Sequence, residues 1–388
     1  MNAMKICVVT GSRAEYDLLF NLISQIQSDS GFQLQLVVTG MHLSPEFGLT
    51  IHHIEQDGFV IDEKVYMLLS SDEPVGVAKS LGLGVLGFSD AFSRLQPDAI
   101  VVLGDRFEIL AAAQVATILQ IPLVHIHGGE VTEGAYDDAI RHAITKMAQV
   151  HLVAAEDYRK RVVQMGEDPS SVFNVGAPGL ENLKNLDKMS LHDLEDALET
   201  DLSRPFFLVT LHPQTVGLES QTALIDELLM ALKEFPEHQV IFTFPNADNG
   251  GREIIAAIQA FIAQNIDCAK IFVSLGRKKY LNLMRYATLV LGNSSSGIIE
   301  APFFPIPTID IGNRQNGRLK ASSVISCEAL QSDIILAIQK AISAEFQAVL
   351  KTTESLYGYG DTSQTIMDIL KQKTLGMQKK FFNINHGF

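Results

Sequence analysis

Residues 97–130 read PDAIVVLGDRFEILAAAQVATILQIPLVHIHGGE. The apolar run Ile100–Leu103 predicts a strand buried on both faces, and residues 121–126 predict a second one. The alanine-rich segment between them predicts a helix, so the stretch is typical of a β-α-β unit with parallel strands. Both strands would end in charged turns at one edge of a sheet, where open α/β folds bind ligands. The residues that these turns bring to the edge are Asp105, Arg106, His127 and Glu130. The alternative is two capped loops with solvated charges.

The same alternation of short apolar runs and amphipathic segments continues on both sides of this unit. It begins at Ile6–Thr10 and, after a polar and acidic stretch, restarts at Phe206–Leu211. We therefore predict an α/β fold of two doubly wound, Rossmann-like domains with a cleft between them, a favoured place for a ligand. The predicted boundaries are 1–185 for the N-terminal domain, 186–204 for the linker and 205–388 for the C-terminal domain.

Composition excludes several classes of protein. The 388 residues carry a net charge of -15 and no basic stripe, which argues against nucleic acid as a partner. The three cysteines are widely spaced and predict no disulfide framework, which favours a reducing cytosol. No signal peptide is recognised and no apolar run reaches the length of a membrane span, so we expect a cytoplasmic protein without a membrane partner. The basic, irregular tail from Lys379 to Phe388 is expected to fray.

The C-terminal half contains a candidate phosphate site. Gly292-Asn293-Ser294-Ser295-Ser296-Gly297 follows a predicted strand and precedes a helix predicted to start near Ile298. Small residues let backbone N–H groups approach an anion, and serine hydroxyls supply further donors. Glu300 could accept the two hydroxyls of a ribose, and Arg314 at the next strand end could reach a phosphate with its planar guanidinium. The alternative is a serine-rich helix cap with an acidic first turn.

The N-terminal half offers other candidates at predicted strand ends. Gly11-Ser12-Arg13 is not a GxGxxG fingerprint, so NAD is excluded as a cofactor, but Arg13 could clamp a diphosphate. Asp137 and Asp138 open a helix shortly after Glu130; they either cap that helix or join a carboxylate cluster suited to proton transfer. His42 and His212 also end predicted strands. No HExxH, CxxC or EF-hand spacing predicts a metal site.

Taken together, several motifs resemble the hydrolysing UDP-N-acetylglucosamine 2-epimerases, and most of all the bacterial sialic-acid biosynthesis branch. The resemblance covers nearly the whole chain. The motifs that carry it are Gly11-Ser12-Arg13-Ala14-Glu15-Tyr16, Val38-Thr39-Gly40-Met41-His42, Leu103-Gly104-Asp105-Arg106, His125-Ile126-His127-Gly128-Gly129-Glu130, Asp137-Asp138 with Ile140–Lys146, and Gly292–Gly297.

The resemblance implies a GT-B-like fold and conversion of UDP-N-acetylglucosamine and water to UDP and N-acetylmannosamine. This reaction would proceed by anti elimination of UDP and syn hydration of a 2-acetamidoglucal, without a cofactor, in a homo-oligomer (a dimer or tetramer). The positions matching UDP contacts are Arg13, His212, Ser294, Ser295, Glu300 and Arg314, and those around the sugar are Asp105, Arg106, Asp137 and His42. The catalytic candidates are Asp105, His127, Glu130, Asp137 and His212.

One departure from the family pattern concerns the third position of the His-Ile-X-Gly-Gly-Glu motif. Many relatives carry a catalytic Glu there, whereas this chain has His127. The acid–base role passes either to His127 or to Glu130, and the sequence leaves both open. The non-hydrolysing relatives carry a Lys near the position of Leu18, which favours the hydrolysing branch.

Three alternatives to this function remain. The first is the same chemistry on UDP-2,4-diacetamido-2,4,6-trideoxyglucose, toward legionaminic acid. The second is a GT-B glycosyltransferase, which would need a separate acceptor. The third is a non-catalytic UDP-sugar binding protein, which would bind UDP without forming N-acetylmannosamine.

Overall fold

The computed structural model describes residues 3–70, 73–132, 136–212, 221–244, 251–265, 268–272, 275–373 and 375–384. The chain divides into two compact units. The first comprises Met1–Glu130, Tyr136–Glu181 and Gly360–Phe388, and the second comprises Val131–Ala135 and Asn182–Tyr359.

Within the described residues, the first unit contains a seven-stranded sheet in the order β3-β2-β1-β4-β5-β6-β7, and all its strand pairs are parallel. Its strands are β1 (Met4–Thr10), β2 (Phe32–Thr39), β3 (Glu63–Val65), β4 (Ala99–Leu103), β5 (Leu123–Ile126), β6 (Val150–Val153) and β7 (Val172–Asn174). Its helices are α1 (Arg13–Ser28), α2 (Ile51–Gln56), α3 (Pro74–Leu95), α4 (Phe107–Ile118), α5 (Tyr136–Met147), α6 (Glu156–Gln164) and, near the boundary with the second unit, α7 (Pro178–Lys184).

The central strands of this sheet are apolar on both faces because helices cover both. Val8 and Val101 contribute to the core on one side, and Cys7 and Ile100 contribute to the core on the other. Such strands need near-continuous apolar sequence, which explains why the runs in the sequence predict them. Strands β2, β1, β4 and β5 are neighbours in the sheet, so the four turns that follow them lie side by side at its carboxyl edge.

The described part of the second unit contains a parallel sheet in the order β10-β9-β8-β11-β12-β13. Its strands are β8 (Phe206–Thr210), β9 (Gln239–Thr243), β10 (Ala269–Phe272), β11 (Leu289–Gly292), β12 (Thr308–Ile311) and β13 (Val324–Cys327). Its helices are α8 (Leu191–Leu198), α9 (Gln221–Leu232), α10 (Gly251–Gln264), α11 (Gly276–Tyr286), α12 (Ser295–Ile299), α13 (Gln331–Ile342) and α14 (Ala344–Leu350).

The last part of the chain differs from the prediction. Helix α15 (Thr362–Gln372) belongs to the first unit, although the sequence analysis places it in the domain 205–388. The reason is that its apolar side chains, including Ile366 and Leu370, join the core that covers β1. The predicted linker contains α8, which begins with a capping box at Ser190 and groups with the second unit.

The described tail is also ordered rather than frayed. The Lys379 ammonium lies 2.6 Å from the buried carboxylate of Glu167 and donates to the carbonyl of Ala148. The Phe382 N–H donates to the carbonyl of Gly166 at 2.8 Å. The buried carboxylate of Glu167 and two backbone carbonyls hold this segment, which the sequence alone predicts to fray.

Helix α3 is long and apolar enough to cross a membrane by length and composition alone, which the sequence analysis did not anticipate. Its Phe88 and Phe92 are buried in the core of the first unit. A buried face of this kind is also found in the core helices of globular domains.

Several sequence predictions fall on residues outside the described ranges. They are Pro213 after the first strand of the second half, the turn at residues 245–248, the end of a strand at residues 273 and 274, the start of a helix at residues 219 and 220, and the last four residues of the tail.

Candidate active site

Asp105 and Arg141 form an ion pair in the first unit. The turn after β4 presents Asp105, and the Nη2 group of Arg141 on α5 donates to its carboxylate. Arg141 is 4% exposed, and its Nη1 group donates to the carbonyl of Glu130 at 3.1 Å. A single guanidinium therefore joins the turns that follow β4 and β5. The buried arginine therefore holds the carboxylate of Asp105 in a fixed position, as a group that transfers a proton requires.

Asp137 lies on the same helix, one turn before Arg141. The pKa of Asp137 is raised to about 6. Burial is the largest cause, and the charge of Asp105 acts in the same direction, while Arg106 and Arg141 act against it. The two carboxyl groups thus differ in their surroundings: Asp105 is ion-paired with Arg141, and burial raises the pKa of Asp137. Pairs of acids whose environments differ in this way are typical of sites where one group accepts a proton and the other donates one.

Arg106 is surrounded by two acids that the sequence analysis did not select. Its Nη2 and Nε groups donate to the carboxylate of Glu108 at 3.1 and 3.2 Å, and its Nε lies 3.9 Å from Glu15. Glu15 also accepts the N–H of Gly11 at 2.7 Å. The pKa of Glu15 is raised to about 8. Burial is the largest cause; the charge of Arg106 acts against it, and the charge of Glu108 acts in the same direction. Two buried carboxyl groups share one guanidinium here, which favours one of them remaining protonated.

His127 and Glu130 are joined directly. The Nδ1 atom of His127 lies 2.7 Å from Oε1 of Glu130, and both side chains are largely buried. His127 has a φ of +66°, which is uncommon for a residue other than glycine. Among the described residues, its Nε2 atom has no hydrogen-bond partner. His127 and Glu130, which the sequence left open as alternatives, therefore lie in contact, and both stay candidates for the acid–base role.

His42 and Arg13, two predicted substrate-binding residues of the first unit, have different surroundings. His42 is fully buried, with Nε2 3.1 Å from the Thr10 hydroxyl and Nδ1 2.8 Å from the Thr50 hydroxyl. Burial lowers its pKa to about 4, so the ring is neutral, and its role in substrate binding stays a prediction. Arg13 is partly exposed at the start of α1, 3.7 Å from Asp17, and remains accessible to an anion.

In the second unit, Asn293 joins three neighbouring strand ends. Its side chain accepts the N–H of His212 at 2.7 Å and donates to the carbonyl of the same residue at 2.8 Å. Its own carbonyl accepts Nη1 of Arg314 at 3.0 Å. The turns after β8, β11 and β12 are thus fixed to one another, and they bring His212 and Arg314 together. The pKa of His212 is lowered to about 4, mainly by burial and also by the charge of Arg314, so this imidazole is neutral.

The serine segment forms the start of helix α12, which spans Ser295–Ile299 and therefore begins three residues earlier than the predicted start near Ile298. Ser294 is its N-cap and accepts the N–H of Ser296, and Ser295 is the first helical residue. Glu300 follows the helix. Burial raises its pKa to about 7, and its Oε2 atom is buried without a hydrogen-bond partner among the described residues. A buried carboxylate oxygen in this state has capacity for a donor such as a sugar hydroxyl.

A metal-binding arrangement is not found in the part of the chain that the structure describes, where no three His, Cys, Asp or Glu side chains come together as ligands.

Sequence reasoning missed Glu15, Glu108 and Arg141 as members of the site. Arg141 follows Asp137 by four residues, so the two share a helix face, and this spacing was a usable signal. Glu15 and Glu108 fall in the first turns of helices, where an acid ordinarily indicates only a favourable interaction with the helix dipole. Only the fold shows that they enclose Arg106.

Comparisons with known proteins place these observations in a family. The sequence profile described as UDP-N-acetylglucosamine 2-epimerase matches residues 24–371. A relative from Campylobacter jejuni, named GDP/UDP-N,N'-diacetylbacillosamine 2-epimerase (hydrolyzing), is 45% identical over 347 residues, which cover 89% of this chain and 90% of the relative. The polysialic acid biosynthesis protein P7 of Escherichia coli is 38% identical over 385 residues, covering 98% of this chain and 97% of that protein.

A solved structure confirms the predicted GT-B-like α/β fold. It is the UDP-GlcNAc 2-epimerase from Neisseria meningitidis bound to UDP-GlcNAc, with a TM-score of 0.81 and 19% identity, covering 95% of this chain and all of that one. The family resemblance seen in the motifs is likewise confirmed, since the profile spans most of the chain. The chain therefore belongs to the UDP-N-acetylglucosamine 2-epimerase family.

Proposed function

We propose that this protein is a hydrolysing 2-epimerase of a UDP-linked 2-acetamido sugar, and that UDP-2,4-diacetamido-2,4,6-trideoxyglucose (UDP-N,N'-diacetylbacillosamine) is its substrate. The observation that carries the chemistry is the arrangement of Asp105 beside Arg141, with Asp137 on the same helix as that arginine. The choice of sugar is supported by the Campylobacter jejuni relative, which is 45% identical and is named for it.

In the first step the C1–O bond to the diphosphate breaks, and UDP leaves with the electron pair. Positive charge develops at C1 and acidifies the hydrogen on C2. Asp105 removes that hydrogen as a proton, and the electrons of the C2–H bond form the double bond of a glycal. The guanidinium of Arg141 holds Asp105 in position for this role. A positioned base of this kind contributes roughly 10² to 10⁴ in rate.

In the second step water adds across the double bond. The hydroxyl group goes to C1, and a proton is delivered to C2 from the face opposite to the one deprotonated, so the configuration at C2 is inverted. The candidates for this donor are Asp137, whose raised pKa keeps a proton available, and the His127–Glu130 pair. The products are UDP and the 2-epimer of the free sugar.

The second unit supplies the groups for the nucleotide. Glu300 would accept the two ribose hydroxyls, because its buried Oε2 atom has no partner among the described residues. Arg314 and the hydroxyls of Ser294 and Ser295 would neutralise the charge that develops on the departing diphosphate. Donors placed in this way act on the leaving group in the transition state. Arg13 and Arg106 of the first unit are further candidates for the phosphates and the sugar.

A second candidate substrate is UDP-N-acetylglucosamine, which would give N-acetylmannosamine for sialic-acid biosynthesis. It is favoured by the family profile and by the 38% identity to the polysialic acid biosynthesis protein of Escherichia coli. The two substrates differ at C4 and C6 of the sugar. The chemistry at C1 and C2 is the same for both.

The experiment that tests the proposal measures kcat/KM for both UDP-sugars by release of UDP, without any acceptor. We expect turnover of both and a preference for the 2,4-diacetamido sugar. A preference for UDP-N-acetylglucosamine would favour the second candidate. Binding of UDP without turnover of either sugar would refute the proposed activity, and a requirement for an acceptor would indicate a glycosyltransferase.

A further inference from the structure

His125 lies in the middle of the first unit and makes two hydrogen bonds that the mechanism above does not use. It is fully buried on β5, paired in register with Val102 of β4. Its Nε2 atom lies 2.8 Å from the carbonyl oxygen of Gly104, and its Nδ1 atom lies 3.1 Å from the hydroxyl of Thr145. Burying such a polar ring is costly unless both nitrogens are satisfied, as they are here.

These contacts determine which nitrogen of His125 carries the hydrogen. A carbonyl oxygen can only accept, so Nε2 is the protonated nitrogen. Burial lowers the pKa of His125 to about 3, so the ring is neutral and Nδ1 accepts the hydroxyl hydrogen of Thr145. Thr145 also lies 3.0 Å from the carbonyl oxygen of Arg141, and its one hydrogen is shared between these two acceptors.

Both ends of this chain of hydrogen bonds lie beside the reacting pair. Gly104 immediately precedes Asp105, and its φ of +83° sets the direction of the turn. Thr145 follows Arg141 by one helical turn, and the side chain of Arg141 holds Asp105. The imidazole of His125 therefore connects the backbone of the base to the helix that carries its partner.

The glycine after His127 makes room for the same contact. A Cβ atom at Gly128 would lie 2.9 Å from the Thr145 hydroxyl and 3.2 Å from Nδ1 of His125. Any side chain there would push the two apart. Within the motif His125-Ile126-His127-Gly128-Gly129-Glu130, His125 and Gly128 thus help to position Asp105. The side chains of His127 and Glu130 contact each other instead.

We propose that His125 and Thr145 are positioning residues for the reaction, which hold Asp105 and Arg141 in register through Gly104 and α5 without touching the substrate. This inference rests on the proposed function in assigning Asp105 as the base. A displacement of about 1 Å at a reacting group can cost about a hundredfold in rate, so loss of the contact acts on kcat.

The test is a comparison of Thr145→Val, Thr145→Ser and Thr117→Val. The first removes the hydroxyl and leaves Nδ1 without its donor, and the second keeps the hydroxyl. The third is a control for loss of a hydroxyl that bonds the carbonyl four residues earlier, as Thr117 on α4 does at 2.9 Å; Thr117 is exposed, whereas Thr145 is fully buried. We expect Thr145→Val to lower kcat about tenfold to a hundredfold, with KM within about twofold of the wild type. Thr145→Ser and Thr117→Val should keep the wild-type kcat.

Equal kcat values for the wild type and folded Thr145→Val would overturn the proposal, and so would an equal loss in Thr145→Ser. Nitrogen-15 NMR of the wild-type imidazoles, with the His125 signals assigned by a His125→Gln variant, provides a test that needs neither turnover nor a folded Thr145→Val. We expect a neutral ring protonated on Nε2 from pH 5 to 8; a ring protonated on Nδ1, or one that titrates in this range, would contradict the arrangement. If the wild type turned over neither sugar, the proposed function would fail while the NMR result still decided whether the contact exists.

Discussion

The Nδ1 atom of His127 lies 2.7 Å from Oε1 of Glu130, at a residue whose backbone is in the left-handed region. A non-glycine residue in that region costs roughly 1–2 kcal/mol, and such costs cluster at functional sites. The turn after β5 thus retains a side chain at a position where glycine would be easier. We interpret this as the requirement for an imidazole beside Glu130.

The pairing predicts non-additive kinetics for His127 and Glu130. Because each group acts through the other, His127→Gln and Glu130→Gln should each lower kcat by roughly 10² to 10³, and the double variant should be little worse than either single one. Steady-state release of UDP measures this.

A matched control exists on the surface of the first unit. His52 and Glu55 have the same spacing and lie 3.0 Å apart, but both are exposed. His52→Gln and Glu55→Gln should leave kcat unchanged. Multiplying effects in the His127 and Glu130 double variant would show that the two residues act independently.

The raised pKa of Asp137 predicts that the free energy of unfolding depends on pH. Its pKa is raised from 3.8 to about 6 in the folded protein, so the folded state holds this proton more tightly than the unfolded chain. Its favourable contribution to the free energy of unfolding is fully present below pH 3.8 and is lost as the pH rises through 6. The Asp137→Asn variant lacks this loss, so its Tm should exceed that of the wild type by more at pH 8 than at pH 5. Thermal unfolding at the two pH values measures the difference. A gain in Tm that is the same at both pH values would count against a buried, protonated Asp137.

Glu300 predicts a binding effect rather than a chemical one. If it accepts the ribose hydroxyls, Glu300→Gln should weaken binding of the UDP-sugar about tenfold to a hundredfold, as expected for lost hydrogen bonds to a charged group of roughly 1.5–3 kcal/mol. The pKa of about 7 adds a second signature. Protonation removes acceptor capacity, so affinity should fall as the pH drops from 8 to 6, and the variant should lack this dependence.

Calorimetric titration in an Asp105→Asn background measures this affinity without turnover. A UDP-sugar is the appropriate probe because its diphosphate is esterified at both ends and does not titrate between pH 6 and 8. Unchanged affinity in the Glu300→Gln variant would remove Glu300 from the nucleotide site.

The elements that lie in the middle of each sheet could be predicted from the sequence. The buried runs of β1, β4, β5 and β11 are largely apolar, and their turns carry the charged and small residues that indicate a ligand-binding edge. The profile match and the solved structure confirm the family and the fold. These features are local, so a single stretch of chain is enough to reveal them.

Features that depend on distant contacts could not be predicted. Helix α15 belongs to the first unit because Ile366 and Leu370 pack into the core of that unit. The apolar pattern of the helix predicts a buried face but does not indicate which of the two cores buries it. The ordered tail depends on Glu167, which lies more than two hundred residues earlier in the chain. The contacts of the His42 ring nitrogens with two threonine hydroxyls are also visible only in the fold. The individual site roles stay predictions until they are measured.

The most direct test of the central claim is proton NMR of the reaction in D2O with UDP-2,4-diacetamido-2,4,6-trideoxyglucose and with UDP-N-acetylglucosamine, beside the Asp105→Asn variant. Elimination and hydration predict UDP and a free 2-epimer that carries deuterium at C2, because the original hydrogen leaves with the base and solvent supplies its replacement. The variant should be slower by roughly 10² to 10⁴. A free sugar that retains hydrogen at C2, or an Asp105→Asn variant as active as the wild type, would contradict the account.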